Sequence, residues 1–400
     1  MDLATFFGQR SALSLPSTFA SSDTLRRAMR ITIVTGAFLP VPPIMGGAVE
    51  KFWYAMGHEF ARQGHQVTHI SRAVAGLANR ETCAGVAHLR VRGSDTPPAL
   101  WRLKLFDLYY SLRAWRALPP ADILVTNTFW LPLLVWSSRR GKLYVHVARA
   151  PKGQMRFYRR AARLQAPSSV IAAAIAREVP SLADKVVVIP YAVPPPVANE
   201  PAPSLETRGR TILFVGRVHP EKGVHLLIEA FMEESAGALR EWKLEIVGPT
   251  DVARGGGGDD YGAELRGLAG GSERVIFRGP IFEAAELERA YRGARLFVYP
   301  SLAETGETFG LAALEAMSQG CAVLVSNLEC FRDFLREGET GFSFDHRAPT
   351  AVQVLREKMV QIVADKTDLA RVAEAGRQTV DGYRLTAIAK RFLDDFASLR

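Results

Sequence analysis

Two runs of strand–helix alternation, separated by a stretch crowded with prolines, confine this chain to a small set of folds. Residues 31–35 (ITIVT) form a short β-branched run, and the loop FLPVPPIMGG follows. Residues 48–63 then carry apolar side chains at helical spacing, stop at Gly64, and lead to a further strand at 67–70. Strand, helix, strand in that order implies parallel pairing. Residues 123–126 and 143–147 add two more buried strands, and 101–118 (WRLKLFDLYYSLRAWRAL) reads as an amphipathic helix rich in basic and aromatic residues. Its aromatics suit either packing inward or lying on a membrane surface.

Residues 190–208 contain six prolines and no periodicity, which marks a linker. Beyond it the alternation resumes. Strands are expected at 211–215, 243–247, 275–278, 296–299 and 322–326, with helices at 224–233 and 309–319. Residues 255–258 mark a loop, and helical periods return near 351–380 and 385–400. The expected organisation is a flexible N-terminal extension (1–29) and a Rossmann-like domain for the acceptor (30–190). A linker (191–208), a Rossmann-like nucleotide-sugar domain (209–382) and a terminal helix packing back on the first domain (383–400) follow. Two open α/β domains place a ligand cleft between them, beyond the carboxyl ends of their strands.

The net charge of +9 is divided unevenly. Residues 1–190 hold 25 Lys and Arg against 10 Asp and Glu, and the remainder holds 25 against 31. A basic half beside an acidic one implies different partners, and an anionic acceptor or a membrane surface suits the first. No nucleic-acid module accompanies the charge. Three cysteines without C-x-x-C spacing argue against a disulfide framework or a zinc site and suit a reducing compartment. The apolar stretch at 122–138 is interrupted by Asn127, Thr128 and Pro132 and reads as a strand with its loop.

Two motifs carry chemistry. GRVHPEKGV follows the strand at 211–215, so Arg217 projects from a strand end and Lys222 lies where the next helix opens. In ETFGLAALE, after the strand at 296–299, Thr308, Phe309, Gly310 and Leu311 begin a helix whose N–H groups attract phosphate. Glu307 stands just ahead of that helix, and Glu315 lies roughly 9–12 Å along it. Diphosphates want cations and backbone N–H groups, while sugar and ribose hydroxyls want carboxylate acceptors. A site offering both suits a nucleotide-sugar.

GRVHPEKG with ETFGLAALEAM resembles the retaining, GT-B-fold glycosyltransferases of family 4, over residues 30–400 and most strongly over 211–345. The resemblance implies that Glu307 and Glu315 form the family's E-x7-E pair and Arg217 and Lys222 its cation pair. Gly46 and Gly47 would form the glycine turn near the donor phosphate, and His146 would reach the transferred sugar. Arg278, Gly279, Pro280 and Ile281 would border the nucleobase. This chain departs in reading Gly248-Pro249-Thr250 where G-D-G-P is common, in Thr308 after Glu307, and in an insertion over 303–306.

The implied activity is metal-independent, retaining hexosyl or glycosyl transfer from a nucleotide-diphosphate sugar to a glycan, glycolipid or other acceptor. A place in polysaccharide or glycoconjugate synthesis follows from the resemblance. No cofactor beyond the donor is expected. Arg217, Lys222, His146 and Glu307 are the expected catalytic residues, with Arg149, Lys152 and Arg156 on the acceptor side. An anionic or lipid-linked acceptor and peripheral contact with the inner membrane face of a cytoplasmic enzyme accompany that reading. A nucleotide-sugar epimerase on the same scaffold, and a non-catalytic nucleotide-sugar-binding protein, are the competing readings.

Overall fold

A computed structural model describes residues 28–197 and 201–400. Nearly all of the expected N-terminal extension, and residues 198–200 of the expected linker, lie outside the described residues. The first sheet comprises β1 (Arg30–Val34), β2 (Gln66–Ala73), β3 (Arg80–Cys83), β4 (Val86–Arg92), β5 (Ile123–Thr126), β6 (Lys142–His146), β7 (Arg163–Ala166) and β8 (Val186–Val188). Their spatial order is β3-β4-β2-β1-β5-β6-β7-β8, parallel except for β3. Helices α1 (Ala48–Arg62), α2 (Leu100–Ala117), α3 (Leu131–Leu134) and α4 (Ser169–Glu178) connect these strands.

The second sheet runs β11-β10-β9-β12-β13-β14, from β9 (Thr211–Val215), β10 (Lys243–Val247), β11 (Val275–Gly279), β12 (Leu296–Tyr299), β13 (Ala322–Ser326) and β14 (Phe342–Phe344). Its helices are α5 (Val224–Glu233), α6 (Gly258–Leu268), α7 (Ala284–Gly293), α8 (Leu311–Ser318), α9 (Ala351–Ala364), α10 (Lys366–Thr379) and α11 (Leu385–Ser398). In each sheet the chain first winds one way from a central strand and then the other. The crevices therefore open between β1 and β5 and between β9 and β12, where ligands of open α/β sheets bind.

The periodic segments appear close to where the sequence puts them. The helix expected from residue 309 starts instead at Leu311, because Gly310 takes a left-handed backbone (φ 81°) at its N-cap. The long helical period after 351 is cut at Asp365, whose side chain accepts from the Asp368 N–H and caps α10. Strands β3, β4, β7, β8 and β14 and helices α3, α4, α6 and α7 escape a reading based on apolar runs. In β7 the reason is visible: Arg163 and Gln165 interrupt the run, the first pairing with Asp395 of α11 at 2.9 Å.

The two domains are packed together. Phe392 and Phe396 of α11 lie against Phe52, Trp53 and Phe60 of α1 and Tyr144 of β6, so the C-terminal helix completes the first domain's core. Ser169 at the start of α4 donates its N–H and hydroxyl to Asp333, at 2.8 and 2.5 Å. Val193, just past the first domain, donates its N–H to the Tyr383 carbonyl.

Candidate functional site

The second domain's crevice gathers the two sequence motifs. After β9 the backbone turns through Gly223, whose φ is 67°. A Cβ there would press into the Pro300 carbonyl oxygen, so glycine lets the start of α5 settle against the segment after β12. That contact brings Lys222 to Glu307: Nζ donates to Oε2 at 2.7 Å, with only 7% and 11% of the two side chains exposed. Lys222 also lies 5.6 Å from the centre of the Tyr299 ring. Arg217 is more exposed and donates to Glu221 Oε1 at 2.5 Å and to the Gly255 carbonyl at 2.9 Å. That same Glu221 oxygen is 3.9 Å from Lys222 Nζ, so both cations converge on one carboxylate oxygen.

Glu315 lies one turn into α8 and accepts from the Tyr291 hydroxyl at 3.0 Å. Burial raises its carboxyl to about 7, against the lowering influence of Tyr291 and of Lys51 from α1. The charge of Lys51 therefore reaches Glu315 from the facing domain, a contribution the sequence reading missed because it left the residues after Gly47 to the helix. Glu304, in the insertion ahead of Glu307, has partners of its own. His346 and Arg347 hold it at 2.9 and 2.8 Å, and those bonds keep its carboxyl below the usual range. The insertion at 303–306 forms a turn closed by the Glu307 N–H on the Ala303 carbonyl.

The remaining expected residues divide. Phe309 is buried against Phe334 and Tyr191, and Thr308 and Gly310 lead directly into α8. Gly279 ends β11 and accepts from the Gly248 N–H beside the Gly216–Arg217 turn, with partly buried Ile281 just beyond. Arg278 turns along the sheet to Glu245 and Glu286 instead.

In the first domain Gly46 and Gly47 (φ 82° and 94°) set the entry to α1. Glu50 of its first turn is buried, and burial raises its carboxyl while Arg149 opposes that shift. Arg149 is exposed and near enough for its charge to act on Glu50. Lys152 is exposed, Arg156 lies over Phe157, Arg160 over Trp136, and Arg163 pairs with α11, so these cations disperse over several surfaces.

His146 is enclosed, at 2% exposure. Gln165 donates to the Ile189 carbonyl, which turns its Oε1 toward Nδ1 of His146 as an acceptor. Nδ1 therefore carries the proton, and Nε2 accepts from the Tyr191 hydroxyl at 3.1 Å. Burial lowers the imidazole to about 4 and keeps it neutral. Tyr191 in turn packs edge-on against Phe309. His146 holds the residue that bridges the two domains, with both ring nitrogens already engaged. Among the described residues no group of three or more His, Cys, Asp or Glu is arranged to hold a metal ion.

The pattern of glycosyl transferases group 1 matches residues 198–379, and that of Glycosyltransferase Family 4 matches residues 45–195. A phosphatidyl-myo-inositol mannosyltransferase of Mycobacterium leprae is 30% identical over 188 residues, which is 46% of this chain and 46% of that protein. The chain thus matches about half the length of this relative. Sucrose-phosphate synthase from Thermosynechococcus elongatus superimposes with a TM-score of 0.72 at 20% identity, covering 93% of this chain and 99% of its own. Anabaena HepE, solved with UDP-glucose, gives 0.67 at 17% identity over 92% and 100%. The fold is that of the GT-B glycosyltransferases, two Rossmann-like domains facing a cleft.

Proposed function

We propose that this chain transfers a sugar from a nucleotide-diphosphate donor to a glycan, glycolipid or other acceptor, with retention at the anomeric carbon, in polysaccharide or glycoconjugate synthesis. The observation that carries the proposal is the convergence of Arg217 and Lys222 on one oxygen of Glu221, with Glu307 on the other side of Lys222. The Glu221 carboxylate stands in for a phosphate. An incoming diphosphate replaces it between the two cations and extends toward the start of α8, whose first N–H groups face outward from the helix. These groups stabilise the negative charge that grows on the diphosphate as its bond to the sugar breaks. With that charge supplied by the chain, the proposal calls for no metal ion.

Glu307, fixed by Lys222, orients the sugar, and Glu315 accepts from the ribose. The glycine turn at 46–47 lets the first domain's backbone approach the phosphate, and the segment 279–281 borders the base. His146 acts through Tyr191 and the domain contact rather than on the sugar itself. The acceptor hydroxyl attacks from the face the diphosphate leaves, and the departing phosphate takes its proton. Arg149, beside Glu50, is the cation best placed for an anionic acceptor.

A panel of UDP-, GDP- and ADP-sugars tests this by thermal shift, since a donor at 100 times its dissociation constant adds about 2.7 kcal/mol. Product analysis of the stabilising donor, with and without candidate acceptors, follows. Transfer with the donor's anomeric configuration kept is expected. Conversion of the donor with no acceptor present would favour the epimerase reading, and binding without turnover under any condition would end the enzymatic one.

A further inference from the structure

The glycine turn at 46–47 ends a loop that two enclosed arginines hold by its backbone. Between β1 and α1 the chain reads TGAFLPVPPIMGG. Pro40, Pro42 and Pro43 have no N–H to give a neighbouring strand, so the stretch cannot extend β1 as a paired strand. Its buried carbonyls must still find donors. Arg72, near the end of β2, donates from Nη1 to the Phe38 carbonyl at 2.5 Å. Arg90 of β4 donates from Nε to the Val41 carbonyl at 3.0 Å. The register sets Ser71 beside Arg90 and Arg72 beside Val91. Successive strand residues point to opposite faces, so the two arginines leave opposite faces of the sheet and hold the loop from both sides.

Each guanidinium is itself fixed. The other nitrogens of Arg90 donate to the Ala78 carbonyl and to Glu81, both at 2.5 Å, and its side chain is wholly enclosed. Arg72 pairs with Asp95, with 11% of its own side chain exposed. Ser94 donates its N–H to the Ala37 carbonyl, which adds a third hold on the same segment. The loop changes character at Pro42. Ala37, Pro40 and Val41 are buried, whereas Ile44 and Met45 are exposed. The tip's backbone bonds are local, from Ile44 to Pro42 and from Gly46 to Pro43. Leu39, between the two anchored carbonyls, lies against the turn, since a Cβ on Gly47 would press on its Cδ1.

We propose that Arg72 and Arg90 are positioning residues for the transfer reaction. They fix the backbone at Phe38 and Val41, and the prolines and the Leu39 contact carry that placement to Gly46 and Gly47. This rests on the transfer reading, in which the glycine turn approaches the donor phosphate. Both arginines act through the loop and not on the donor. A misplacement of about 1 Å can cost about 10²-fold in rate, which sets the scale of the effect.

Arg72→Met is the cleaner variant, because Asp95 is 88% exposed and remains in water when its partner is lost. It should lower kcat/KM about 10- to 100-fold, chiefly through kcat, at a temperature where circular dichroism shows it folded. Arg72→Lys keeps the cation without the two-pronged geometry and should fall between Arg72→Met and wild type. Arg90→Met with Glu81→Gln, which leaves no carboxylate behind, should lower kcat/KM in the same way. Without donor, both methionine variants should exchange the amides of Ile44, Gly46 and Gly47 about tenfold faster than wild type. A purely structural role would lower the melting temperature and leave kcat/KM unchanged below it, and that result overturns the proposal. So does faster exchange with wild-type kinetics. If Arg72→Met does not fold, Arg72→Lys decides, and wild-type kcat/KM there overturns the proposal. A wild type that no sugar nucleotide stabilises removes the transfer reading and this proposal with it. A wild type that turns over, with variants that match it, removes only the anchors.

Discussion

At the carboxyl edge of the second sheet the charges near the site are answered: Lys222 by Glu307, Arg217 by Glu221, Glu304 by Arg347, Arg278 by Glu245. The first sheet is furnished differently. Its register places Ser71 of β2 beside Thr35 and Asn127, the residues just past β1 and β5, and each keeps a buried oxygen without a partner. His58 on α1 and, beneath it, His88 and His69 stand close together, and both ring nitrogens of His69 and of His88 are unpartnered. A buried polar group left unpaired costs about 1–3 kcal/mol. One wall therefore carries opposed charges that are already paired, and the other holds unmet polar demand.

The largest expected effect falls on the wall of paired charges. Lys222→Ala should lower kcat/KM by about 10²–10³, or 2.7–4 kcal/mol if deletion of an oxyanion donor is a fair guide, with the fold intact. Near-normal turnover would show that the pairing with Glu307 is only structural. The next effect contrasts the walls through their glycines. Gly223→Ala meets a backbone carbonyl that cannot move aside, and should cost about 3 kcal/mol or more in urea unfolding. Gly47→Ala meets the side-chain ends of Glu50 and Leu39, which can rotate, leaving about 1–2 kcal/mol from its positive φ. Equal losses at the two positions would break the comparison of a fixed wall with a yielding one.

The same contrast explains what could be read from the sequence. Strands of continuous apolar residues such as β1, β5, β9 and β13 announced themselves, and the charged pair of the second domain sits in two short linear motifs. The first domain's wall is assembled from single residues on separate strands, Ser71, Thr35 and Asn127, which share a face only through register. Strand β7 was hidden because Arg163 and Gln165 serve tertiary partners. For His146 the resemblance implied contact with the sugar, while the partners the structure gives its ring, Gln165 and Tyr191, come from other segments and could not be read from its place at a strand end. Lys51 was legible only as a helix residue, since its effect on Glu315 crosses between domains.

Acid should find the weaker wall. Burial lowers His69 to about 3 and His88 to about 4, both below the ordinary 6.5 of an unfolded histidine. Groups with depressed imidazole values bind protons more readily when unfolded, so stability present above pH 6.5 is lost as pH falls toward 4. His69→Leu should flatten that acid slope by on the order of 1–3 kcal/mol, measured as urea midpoints at pH 7 and pH 5. An unchanged slope would mean that these imidazoles are hydrated.

Glu315 should answer pH with the opposite sign. Its carboxyl is raised above the unfolded value, so the folded state holds the proton more tightly, and stability declines as pH rises from 4.5 to about 7. In the proposed role the ionised carboxylate is the stronger acceptor for a ribose hydroxyl, so donor affinity should rise over the same interval. The Tyr291 hydroxyl opposes the upward shift by donating to the charged form. Tyr291→Phe removes one hydrogen bond worth about 1 kcal/mol, which is somewhat less than one pH unit. The acid limb of kcat/KM should therefore move up by about half a unit to one unit, with kcat at pH 9 nearly unchanged. A limb that stays in place would separate Glu315 from donor binding and reduce it to a buried carboxyl held by a tyrosine, while leaving the Lys222–Glu307 pair as the donor wall's charge.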